Sequence, residues 1–246
     1  MKRLTKIVWV FFAIIAGLSL LGASLVKLSA QNVQQQERQK PELPTLDYET
    51  EVSKAVGEDR KKRSARFNSP HDNSKPIFKR IAELSDGIVP LPTNAHLWTG
   101  MPALPVAESD VIVAGKIVDA QAHLSDDGTG IYSEYSVEVS DIFKNNEEAL
   151  GRTISGTRMG GAVRFASGKV QEYIIVNLGI PMKGKSYVLF LKREEAGDFT
   201  ILTGYELSNG RVFPLDGAPT FDYYKDAVEA QFMQDMRSSI QRGGDK

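Results

Sequence analysis

His123, Asp126, Asp127 and Glu134 form the chain's compact group of nitrogen and oxygen donors. An imidazole with three carboxylates could hold Ca2+ or a transition metal if a hairpin folded His123 and Glu134 together. The bound ion would then activate water, the chemistry of a metal-assisted hydrolase. The same residues have a plainer reading. Asp126 and Asp127 stand in Ser125-Asp126-Asp127-Gly128-Thr129-Gly130, a turn cluster between two apolar runs, and His123 ends the first run. His71 and His96 are too distant to complete a local motif, and no H-E-x-x-H occurs.

Arg158 and Arg164 bracket a glycine pair in Arg158-Met159-Gly160-Gly161-Ala162-Val163-Arg164-Phe165. Beside exposed aromatics, two guanidinium forks suit an anionic glycan or a peptide carboxylate. The competing reading is a turn with two solvent-facing cations. Trp98 is a further candidate ligand contact, or a staple that fixes the preceding chain to a core.

Gly179-Ile180-Pro181-Met182-Lys183-Gly184-Lys185-Ser186 satisfies the phosphate-loop pattern G-x-x-x-x-G-K-[ST]. That loop works only with a strand before it and a helix after it, since helix N-terminal amides hold the phosphates. Tyr187-Val188-Leu189-Phe190-Leu191 follows, a strand-forming run, so Gly179–Ser186 is expected as a hairpin turn without nucleotide. No other cofactor motif is present. G-x-S-x-G is absent, and the S-x-x-K match at Ser24–Lys27 falls inside an apolar segment. The chain has no cysteine, which excludes disulfides, thiolate metal sites and a thiol nucleophile.

These side chains need elements to position them, in a chain of 246 residues with a formal net charge of -1. Balanced charge removes the overall basic field of a dedicated nucleic-acid binder, and none is expected as partner. Lys2, Arg3 and Lys6 precede an uncharged run from Ile7 to Val26, long enough as a helix to cross a bilayer. Residues 1–30 are read as a membrane anchor, or a cleaved signal with weak sites at Leu21-Gly22-Ala23 and Leu28-Ser29-Ala30. The basic start keeps the N-terminus cytoplasmic and sends the remainder outside, tethered, or secreted and periplasmic after cleavage.

Residues 31–106 are expected as a largely disordered spacer, because in residues 31–80 charged residues outnumber apolar ones. Within it, Arg60-Lys61-Lys62-Arg63 and Arg66 read as a solvated charge run beside Glu58, Asp59 and Asp72. An anionic-lipid or nucleic-acid patch, or a protease site, is the sharper alternative.

Residues 107–217 are expected to be β. Val111–Val118 is apolar on both faces, with Gly115 as a bend. Ile131–Ser140 alternates. Thr153–Arg158, Ala162–Phe165, Val170–Asn177, Tyr187–Lys192, Phe199–Thr203 and Arg211–Phe213 follow, punctuated by glycine turns. Short strands at this spacing predict a small antiparallel barrel of oligonucleotide/oligosaccharide-binding (OB) type. Residues 218–246 are expected as a helix capped at Thr220, with Tyr224, Val228, Phe232, Met236 and Ile240 as the stripe packed on the barrel.

Leu104-Pro105-Val106-Ala107-Glu108-Ser109-Asp110, Tyr132-Ser133-Glu134-Tyr135, GGAVRFASG (Gly160–Gly168), YVLFLK (Tyr187–Lys192) and Val212-Phe213-Pro214-Leu215-Asp216 resemble a group of uncharacterised secreted or membrane-anchored bacterial β-barrel proteins. The resemblance spans residues 103–217 and implies no catalytic residue. The order of strands is also similar to the barrel of netrin-like domains and tissue inhibitors of metalloproteases. Those depend on cysteines this chain lacks, so their inhibitory chemistry does not carry over. The expected function is a non-catalytic, membrane-tethered interaction module of the cell envelope, with an envelope protein or glycan as partner; the alternative is the hydrolase centred on His123, Asp126 and Asp127.

Overall fold

Two periodicities set the elements. Residues 111–114 and 187–191 bury side chains on both faces of their strands, the other strands chiefly on one, and in the last helix buried Phe232 and Met236 stand four residues apart. The computed structural model describes residues 42–54, 57–68, 100–146 and 149–243. The expected anchor at residues 7–26 and Trp98 lie outside them. In chain order, strand β1 (Thr45–Asp47) leads into helices α1 (Tyr48–Ser53) and α2 (Glu58–Ala65). The body follows as β2 (Val111–Leu124), β3 (Ile131–Asn145), β4 (Thr153–Met159), β5 (Gly161–Arg164), β6 (Val170–Tyr173), β7 (Ser186–Arg193), β8 (Phe199–Ser208) and β9 (Arg211–Pro214). A 3-10 turn (Pro219–Tyr224), strand β10 (Ala227–Val228) and helix α3 (Glu229–Gly243) finish it. The fold is mainly β with a C-terminal helix. Residues 43–246 group as one unit.

Strands β4, β3, β2, β7 and β8 pair antiparallel in that order. β8 also pairs with β4, in parallel, through Gly156↔Phe199 and Thr157↔Thr200. Strands β9 and β10 extend from β8. Contrary to the expectation of one strand set, β5 and β6 leave at Gly160-Gly161 and join β1 in a separate three-stranded sheet. The departure needs glycine: φ is +115° and +147° at the pair. A Cβ on Gly161 would also stand 3.0 Å from the Ile131 and Ser133 side chains.

The apolar character of β2 on both faces has a direct cause. Val111, Val113 and Ile117 pack with Tyr135, Val137, Tyr187, Leu189 and Leu191, while Ile112 and Ala114 join Phe190, Tyr205, Phe232 and Met236. One face belongs to the core among the strands, and the other is covered by α3. Fully burying a residue such as Phe232 or Met236 contributes about 1.5–3 kcal/mol. At Gly115 the pairing with β3 shifts register, and a Cβ there would meet the Glu138 carbonyl oxygen at 2.7 Å.

Helix α3 begins at Glu229, not at Thr220. Residues 219–224 form a 3-10 turn, Asp226 adopts φ 60°, and Ala227–Val228 pairs with β9 before the helix can start. Tyr224 is therefore buried from the turn and Val228 is exposed, leaving Phe232, Met236 and Ile240 as the stripe.

Parts of the expected spacer are folded. Leu46 is buried with Val163 and Phe165, β1 pairs in parallel with β5, and Phe67 is buried. Met101, Ala103 and Leu104 pack on the α3 core, and the Tyr205 hydroxyl donates to the Ala103 carbonyl at 2.6 Å. A few apolar anchors and backbone pairings suffice for short segments laid on an existing body, which composition averaged over the segment conceals.

Candidate functional site

Helix α2 carries Glu58 and Asp59 in its first turn and Lys62 and Arg63 in its last, the placement the helix dipole favours. Eight residues are nevertheless too few for a helix stable in water, so its contacts hold it. Arg60, Arg63 and Arg66 recur every third residue and reach toward one face of the strands. We call residues 44–68 the arm.

Each arginine meets a different carboxylate. Arg60 Nη2 pairs with Glu51 Oε1 and lies 2.8 Å from His123 Nδ1. An arginine only donates, so Nδ1 accepts from it; a proton on Nδ1 would instead donate to Glu51 Oε1, 3.2 Å away. Arg63 Nε donates to Glu134 Oε1 at 3.0 Å. Arg66 forks onto Asp198, at 2.5 Å and 3.3 Å, reaches Glu194 at 3.2 Å and donates to the Thr157 hydroxyl at 3.1 Å. Phe67 then stacks on Tyr132, ring centroids 4.5 Å apart and 6° from parallel. The Asn68 side-chain carbonyl accepts from the Asp127 backbone N–H at 3.0 Å. The seat thus comprises β3, β4, the 125–130 turn and the 194–198 loop.

The electrostatics follow from this arrangement. Burial works to raise the Glu51 carboxyl, but its contacts with His123 and Arg60 outweigh it and leave the pKa lowered. Burial also works against the Arg63 charge, yet Glu134 leaves its pKa raised. Burial, aided by Glu134, pushes the Tyr132 hydroxyl up to about 12 against the pull of Arg60 and Arg63. These groups are matched to protein cations, and a cleft of about 320 Å3 remains between α1, α2 and the 124–128 segment.

The sequence-derived candidates distribute differently from expectation. His123 and Glu134 do share a face, since His123 opposes Tyr132 and Gln121 opposes Glu134. Arg60 and Arg63 take their lone pairs, while Asp127 Oδ1 accepts from Ser125 Oγ (2.7 Å), Thr129 N (3.0 Å) and Thr129 Oγ1 (2.6 Å) to lock the turn. Asp126 is exposed. Among the described residues no three His, Asp or Glu side chains converge to hold a metal ion. His123, Asp126, Asp127 and Glu134 therefore do not assemble the expected cluster, because two of them pair with cations and a third is a turn lock.

Arg158 is corrected as well. It is buried, not facing solvent or ligand: it pairs with Asp216, and its Nη1 donates to the carbonyls of Ile201 (2.9 Å) and Leu202 (3.2 Å). Arg164 is exposed and lies 3.3 Å from Asp47, tying β5 to β1. Gly179–Ser186 is followed by strand β7, and the Gly179 N–H donates to Asp216 at 2.8 Å. Sequence reasoning missed Glu51, Arg60, Arg63, Arg66, Phe67, Glu194 and Asp198 as a set. The three-residue spacing of the arginines ending in Phe67 was the available signal.

No family model matches the chain, and no curated protein matches it.

Proposed function

We propose that the chain is a non-catalytic, membrane-tethered interaction module of the bacterial cell envelope, built on a small closed barrel of OB type. The ring of pairings from β8 through β4, β3, β2 and β7 back to β8, with the parallel step at β4–β8, supports the barrel. OB-type barrels bind across their second and third strands and the loops after the first and fourth. The equivalents here are β3 and β4, the 125–130 turn and the 194–198 loop.

One observation carries the reading: the charged side chains of that face recognise a protein segment, the arm. Glu134, Glu194 and Asp198 make the face acidic, which repels a phosphate backbone and suits an arginine-bearing envelope protein. Lys2, Arg3 and Lys6 ahead of Ile7–Val26 supply the tether and its orientation. The test compares capture from envelope membranes by the full chain and by Glu134→Lys/Glu194→Lys. A specific protein retained by the first and lost with the second is the expected result. Failure of either chain to retain a protein counts against the reading, and retention of glycan alone reassigns the partner.

A further inference from the structure

We infer that the arm is exchangeable, and that the face seats the arm of a second copy so that two chains pair reciprocally. This rests on the face being a recognition surface, as proposed above. The ion pairs that tie the arm to the body are Arg63–Glu134, Arg66–Glu194 and Arg66–Asp198; all their members except the enclosed Asp198 keep about a fifth to a quarter of their side chains in water. Water and salt compete with such pairs far more than with enclosed ones. Its backbone ties to the body are a three-residue strand, the Ala162 N–H to the Pro44 carbonyl and the Asp126 N–H to the Ser64 carbonyl, and its apolar anchors are Leu46, Tyr48 and Phe67. These ties lie outside the pairing among β2, β3, β4, β7 and β8, so the arm can leave its seat while those strands stay paired.

The occupant follows from complementarity. Every copy carries both the acidic face and the segment that fits it, so exchange between two chains preserves each contact. Thirty-one residues separate the arm from residue 100 in sequence, and a chain of that length reaches at most about 100 Å, which admits a neighbour. Seating within one chain benefits from an effective concentration in the millimolar range, so exchange grows as copies crowd.

The absence of cysteine makes the test clean. Full-length Arg63→Cys and Glu134→Cys chains, mixed and treated with a short bis-maleimide, are expected to give covalent heterodimers whose yield rises with concentration. Lys61→Cys, on the opposite side of α2, mixed with Glu134→Cys should give several-fold less. A chain carrying both Arg63→Cys and Glu134→Cys should cross-link internally, establishing that the variants fold and the reach suffices. Internal cross-linking with no heterodimer excess over the Lys61→Cys control overturns the exchange. Absence of the internal cross-link overturns the seat itself. If partner capture still depends on Glu134 and Glu194 when exchange fails, the interaction-module reading stands and only the second-copy occupant is lost.

Discussion

Arginine–carboxylate pairs occur in two settings in this molecule. Arg158 and Asp216 leave 1% and 0% of their side chains accessible. Asp216 also accepts from the Gly179 N–H and from the Thr203 hydroxyl at 2.6 Å, and Arg158 satisfies two β8 carbonyls just beyond the point where β4 and β8 stop pairing. In the pairs of the arm the arginines, with Glu134 and Glu194, keep about a fifth to a quarter of their side chains in water, while Glu51 and Asp198 are nearly enclosed. An enclosed pair whose carboxylate accepts from three donors becomes a fixed part of the core, whose loss strands a charge. A wetted pair is a contact that conditions can loosen.

The largest expected effect tests the fixed side. Arg158→Met should lower the unfolding free energy by about 3–5 kcal/mol, because Asp216 is left buried without its cation. Pairing it with Asp216→Asn, which removes the stranded charge and keeps an acceptor for the Gly179 N–H and the Thr203 hydroxyl, should recover much of that in denaturant titration. A single-variant loss below about 1 kcal/mol would erase the distinction between the two settings.

Arg66→Ala should cost less, about 1.5–3 kcal/mol, the range for hydrogen bonds to charged groups. Its signature is local: hydrogen exchange should rise in residues 45–68 with β2 and β7 still protected. Uniform loss of protection would mean that the arm and body unfold as one.

Acid should produce the smallest and most selective change. The Glu51 carboxyl is lowered from an ordinary value of 4.5, so its contribution is complete above that pH and disappears as pH falls through the lower folded value. Arm amides are expected to lose protection below pH 4.5 while the strands persist. An arm whose exchange ignores pH down to strand unfolding would contradict the role given to Glu51.

The strands were legible because alternation and glycine turns are local signals, and each of the eight expected stretches carries a strand. The sequence order of those stretches does not say which of them share a sheet, so the departure of β5 and β6 went unseen. The C-terminal stripe was read correctly at Phe232 and Met236 but begun too early, because the i+4 spacing of Tyr224 and Val228 is accidental across a 3-10 turn. The site was least legible. Arg60 and Arg63 meet His123 and Glu134 across 63 and 71 residues of sequence, and no local pattern connects them. Four donors close together in sequence therefore looked like a metal set until the cations arrived from elsewhere in the chain. Arg158 misled for a related reason: the glycines after it suggested an exposed turn, whereas β4 continues inward through it to Met159.

The seat's last components, Asp198 among them, lie 132 residues downstream of Arg66. At the roughly 5–20 residues per second of synthesis, the arm waits on the order of 7–26 s after its own emergence before that carboxylate exists. A helix this short does not persist alone through such an interval. Completion of the Arg66–Asp198 contact is consequently a late step of the chain's synthesis, and the body's strands have begun to form before the arm has its full seat.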